Sequence, residues 1–97
     1  MEEAIEKIIL ERVEKPGWLT TRAVQRDPRQ ESFENEVAQI EAVMKRLADK
    51  GLVTLWRLIL EQEGVEILAA ARPGLELDKD LEQRGAWAKA VRYEVNG

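Results

Sequence analysis

A chain with no histidine and no cysteine has no imidazole to shuttle protons near neutral pH and no thiolate to attack a substrate or bind a soft metal. The nearest approach to a metal motif is Asp78, Asp80 and Glu82, which spaces acids as at the start of a calcium loop. Gln83 stands where that loop needs its turn glycine, and the later glutamate is missing, so a solvated acidic run at a helix start explains these residues better. The six glycines are scattered and build no phosphate-cradling loop. No catalytic residue, metal ligand or cofactor is expected, and the chain is not read as an enzyme. What remains is recognition.

Two groups of residues have the chemistry for it. Arg22, Arg26 and Arg29 fall on a predicted second helix and its turn, Lys45 and Arg46 late on a third helix, and Arg57 on a following strand; such cations neutralise phosphates. Asn35 and Gln39, at the start of the third helix, carry amides of the type that reads base edges, so double-stranded DNA is one expected partner. Glu34, Glu36 and Glu41 lie on or beside the same face and would repel phosphates, and an ordinary solvated face accounts for these charges equally well. The second group surrounds Trp87. Trp18 and Trp56 sit among apolar neighbours and are expected in the core, whereas Trp87, with Lys89 and Arg92 nearby, suits the anchor of a protein partner.

The formal net charge of −4 is unevenly spread. Residues 15–29 hold four bases against Asp27, while residues 30–44 hold four glutamates and no base. Residues 61–82 hold seven acids against Arg72 and Lys79, and residues 84–92 hold three bases and no acid. This is not a globally basic nucleic-acid binder. Ninety-seven residues, 44% hydrophobic and 35% charged, suit one globular domain. The first residues, MEEAIEKIIL, form no cationic leader, and no apolar run approaches a membrane span, so a cytoplasmic location is expected.

Several elements must position these groups. Ile5, Ile8, Ile9 and Val13 give the stripe of an amphipathic helix from Glu2 to Glu14, which Pro16 and Gly17 break. Thr20 or Thr21 caps a short second helix holding Ala23 and Val24, which stops near Asp27 because Pro28 follows. Val37, Ile40, Val43, Met44 and Leu47 mark a third helix from about Asn35 to Lys50, with Gly51 placed for a left-handed cap. An extended run begins at Leu52 and continues to Leu60. Asp78 caps a further short helix through Leu81, and beyond Gly85 the pattern fits helix and strand alike.

The segment VMKRLADKGLVTLWRL resembles the end of the recognition helix and the first wing strand of winged helix-turn-helix proteins, MarR-type and PadR-type regulators being the nearest comparisons. LILEQEGVEILAAA is similar to the strand leaving the wing and the start of the next helix in those families, with Gly64 and Leu68 matching and Glu61 replacing the usual threonine. The resemblance implies a mainly α, α+β fold: a winged helix-turn-helix domain over residues 1–72, with a three-helix core and a short wing strand. Residues 73–97 are then a C-terminal helical extension, packed on the same domain or forming an interface. It also implies a small DNA-binding transcriptional regulator, of phage or prophage type on size alone, working as a homodimer. The alternative is a protein-interaction adaptor without strong DNA binding.

Overall fold

The computed structural model describes residues 2–28, 37–85 and 88–94. Helix α1 (Glu2–Glu14) buries Ile5, Ile8, Ile9 and Val13, the stripe its spacing predicts. It ends where the Gly17 N–H donates to the Arg12 carbonyl at 2.9 Å with Gly17 at φ 126°, a conformation open to glycine. Strand β1 (Trp18–Thr20) follows, and the Thr20 hydroxyl accepts from the Ala23 N–H at 3.2 Å to cap α2 (Thr21–Gln25). Just beyond α2, the Asp27 carboxylate is buried 3.4 Å from the Arg12 guanidinium, which ties the end of α2 back to α1.

Helix α3 (Val37–Asp49) buries Ile40, Val43, Met44 and Leu47 against α1 and α2. Gly51 closes it at φ 75°, with the Leu52 N–H reaching the Leu47 carbonyl at 3.0 Å and the Gly51 N–H reaching Ala48 at 2.9 Å. Both last-turn carbonyls are thereby satisfied.

Strands β2 (Thr54–Leu60) and β3 (Val65–Ala71) form a hairpin paired along its whole length. Helix α4 (Leu77–Gln83) then crosses the sheet, and β4 (Ala88–Arg92) returns beside β2. The sheet is antiparallel throughout, in the order β1-β3-β2-β4. Because side chains alternate along each strand, the sheet buries two separate cores. Leu55, Leu68 and Ala70 face α1, α2 and α3, whereas Trp56, Leu58, Ala69, Ala71 and Ala90 face Leu77 and Leu81 of α4. The Trp56 indole N–H donates to the Thr54 hydroxyl at 3.2 Å, and that hydroxyl donates to the Ala71 carbonyl at 3.5 Å, so the buried ring leaves its one polar group satisfied.

The mainly helical winged helix-turn-helix architecture expected from the sequence is therefore corrected. The chain is an α+β protein with four helices and a four-stranded antiparallel sheet among its described residues. The expected short wing strand is one half of a hairpin of two seven-residue strands. Residues 65–71, read as running into a helix, are β3: Gly64 adopts φ 64° in the hairpin turn and Leu68 lies mid-strand. The expected helical extension supplies α4 and a fourth strand as well. The physical reason is two-sided burial. The alanine-rich VEILAAA segment would favour a helix if solvated, but pairing on both edges and cover on both faces override that propensity.

Two outcomes follow from this packing. Leu77 is fully buried between α4 and the sheet, so Leu77→Ala is expected to lower stability by about 2–5 kcal/mol. Urea unfolding followed by circular dichroism should show it as a shift of one cooperative transition, since α4 and β4 share the sheet with the rest of the chain. At Gly51 an added Cβ would meet nothing within 4 Å, so the cost of Gly51→Ala is purely conformational. It is expected to be about 1 kcal/mol, measured in the same way.

Candidate interaction surfaces

Of the cations expected to meet DNA, Arg22 and Arg26 stand one turn apart at α2, half-buried and exposed respectively, and make no ion pair within the described residues. Gln39 is exposed on α3. Arg46 lies 3.8 Å from Glu6 of α1, an exposed contact between helices of modest strength. Lys45 is half-buried, with its ammonium 5.6 Å from the centre of the Tyr93 ring, within cation–π range. Arg57 is exposed on β2 and lines a cleft of about 190 Å³ with Glu41, Lys45, Glu66 and Tyr93. Arg29 and Asn35 lie outside the described residues. The structure thus brings Lys45 and Arg57 together, places Arg46 beside α1, and sets Arg22 and Arg26 apart on α2.

The surface that α3 and the hairpin offer is acidic. Helix α3 and the hairpin carry Glu41, Asp49, Glu61, Glu63 and Glu66 against Lys45, Arg46 and Arg57, with Glu41 and Glu66 beside Lys45 and Arg57 at one cleft. Glu61 and Glu63 are exposed in the turn between β2 and β3, where they would repel a phosphate backbone. Two of the three cations already have partners within the chain.

Two of the residues expected to hold a protein partner lie on the last strand. Lys89 and Arg92 are exposed on β4, and the Arg92 guanidinium stacks 5.5 Å from the Trp56 ring, while Trp87 lies outside the described residues. Lys89 lines a cleft of about 680 Å³ where α4, the hairpin turn and β4 meet. Glu61, Asp78 and Glu82 rim it and Ala88 and Ala90 contribute its apolar part. On the outer side of α4, Lys79 lies 3.0 Å from Glu76, and the hydrogen bond to that carboxylate, then its charge, raise the lysine pKa above its ordinary value. Arg84 Nε approaches Asp80 Oδ2 to 3.0 Å, in ion-pair range but off the angle for a hydrogen bond, which leaves that oxygen without one.

One surface was not anticipated. The outer side of α1 carries Glu3, Glu6, Glu11 and Glu14 around Leu10, with Lys7 among them and Arg46 of α3 beside Glu6, bordering a shallow cleft of about 590 Å³. The signal was in the sequence, since positions 3, 6, 7, 10, 11 and 14 share one side of a helix opposite the buried isoleucines.

Among the described residues, no cluster of His, Cys, Asp and Glu is arranged to hold a metal ion, and no helix is long and apolar enough to cross a membrane. No family model, no curated protein and no solved structure matches the chain.

Proposed function

We propose that this domain is a protein-interaction module that receives a basic, partly apolar segment of its partner on the outer face of α1. The observation that carries the reading is the gathering of Glu3, Glu6, Glu11 and Glu14 around half-buried Leu10 on one side of α1, four carboxylates against Lys7 on the same side of the helix, with Glu6 also 3.8 Å from Arg46 of α3. Such a face raises the local concentration of a cationic partner and orients it, while Leu10 offers apolar area to a side chain between the partner's cations. The acidic hairpin turn and the internal engagement of Lys45 and Arg46 weigh against DNA, because Glu61 and Glu63 would repel a phosphate backbone there and two of the nearby cations already have groups of their own to meet.

A DNA-binding regulator is the second reading, favoured by Arg22 on α2 and Arg26 at its C-cap, one turn apart and without an ion-pair partner among the described residues. Fluorescence anisotropy separates the two. A labelled peptide alternating lysine with leucine is expected to bind with micromolar affinity that weakens between about 20 and 150 mM salt. The charge reversal Glu3→Lys with Glu14→Lys should weaken it about tenfold, whereas Glu61→Lys with Glu63→Lys, at the hairpin turn, should leave it unchanged. Equal losses from both pairs would mean attraction to net charge alone and would overturn the α1 assignment. Binding of a random duplex at 150 mM salt that Arg22→Ala with Arg26→Ala abolishes would put DNA in place of a protein partner.

A further inference from the structure

The sheet has two edges, the three-residue β1 and the five-residue β4, and β4 is the one built to receive another strand. The Tyr93 N–H donates to the Leu55 carbonyl at 2.9 Å, and Tyr93 stands opposite Leu55 in the continuation of the β2–β4 register. In an antiparallel ladder, hydrogen-bonded and non-hydrogen-bonded pairs alternate, so Val91 and Lys89 also turn their amides toward β2. Ala88, Ala90 and Arg92 therefore turn their N–H and C=O groups outward, where no strand among the described residues pairs with them. The strand contains no proline, and among the described residues no helix or bulge lies across its outer edge to blunt it.

We infer that the β4 edge pairs with the β4 edge of a second copy of this chain, antiparallel about a two-fold axis at Ala90. That register sets Ala90 opposite Ala90 of the second copy and Ala88 opposite Arg92, and it satisfies three outward N–H groups and three outward carbonyls on each strand. It also places charge correctly. Ala88, Ala90 and Arg92 share the sheet face that α4 covers, and the cleft rimmed by Glu61, Asp78 and Glu82 opens beside Ala88 and Ala90. Arg92 of each copy, one strand away from Ala88 of the other, comes within reach of these three carboxylates twice over. Lys89 alternates with Ala88 and Ala90 along the strand, although it also borders this cleft, and it stands opposite Val91 of the second copy instead of its own counterpart. The small side chains of Ala88 and Ala90 let the two α4 helices approach without obstruction.

The pairing is independent of any ligand on α1, and sedimentation velocity of the full chain tests it. The 11.1 kDa chain is expected to reach twice its mass as its concentration rises to about 500 µM, the range for an interface of this limited size. Ala90→Pro removes an outward N–H that β2 does not use and is expected to give a monomer with an unchanged circular dichroism spectrum. Arg92→Glu should raise the dissociation constant about tenfold, and adding Glu82→Arg should recover most of it, which loss of the Trp56 stacking alone would not allow. A monomer throughout the range, a dimer indifferent to Ala90→Pro, or no recovery in the Arg92→Glu, Glu82→Arg protein would each overturn the inference.

Discussion

The spacing of the whole molecule is set by the alanines that end β3. Ala69, Ala70 and Ala71 are fully buried, and each is flanked on both neighbouring strands by larger residues. Ala71 lies between Trp18 and Thr54, Ala70 between Leu19 and Leu55, and Ala69 between Thr20 and Trp56. Small centres with large flanks let rings and branched side chains lean over the middle strand, so α1–α3 pack on one face while α4 packs on the other. A larger residue at Ala70 would push α3 away from the sheet, and one at Ala69 would displace Trp56 and, with it, the seat of Arg92. The exterior chemistry of β4 thus depends on the size of residues that never reach the surface.

Legibility in the sequence followed the number of faces each element buries. Helices α1 and α3 bury one stripe each, so periodicity located them, and the glycine after α3 carries the positive φ its position implied. Strand β2 buries both faces and was visible as an extended apolar run. Strand β3 is hard to read because Leu68, Ala69, Ala70 and Ala71 are good helix formers with no alternation, and only its neighbours make it a strand. Beyond Gly85, Trp87, Val91, Tyr93 and Val95 satisfied two periods at once, and the free edge of β2 decided for a strand at 88–92.

The candidate site was legible in its residue types and not in their partners. Sequence spacing located Lys45, Arg46 and Arg92 as cations, but the groups that engage them are Tyr93, Glu6 and Trp56, each far away along the chain. A cation with a partner of its own is a weaker phosphate ligand, because that partner must be surrendered or shared before the phosphate is met. The count of cations therefore overstated the case for DNA. The glutamates of α1 are easily overlooked because the periodicity of that helix marks the stripe it buries and says nothing of what its opposite side meets.

The two proposed surfaces are compatible, and the sheet order says why. Helix α1 packs on α3, β1 and β3, whereas β4 lies at the other end of the sheet, against β2 and α4. A two-fold axis through the β4 edge would extend the sheet away from α1 and leave the glutamate faces of both copies uncovered. Two equivalent acidic faces on one rigid, continuous sheet would then engage a partner carrying two basic segments with far greater avidity than either face alone, provided the segments can span the assembly. A partner with a single basic segment would gain nothing from the pairing. Self-association at β4 would in this way select among basic partners by valency, a property that the charge of α1 cannot supply alone.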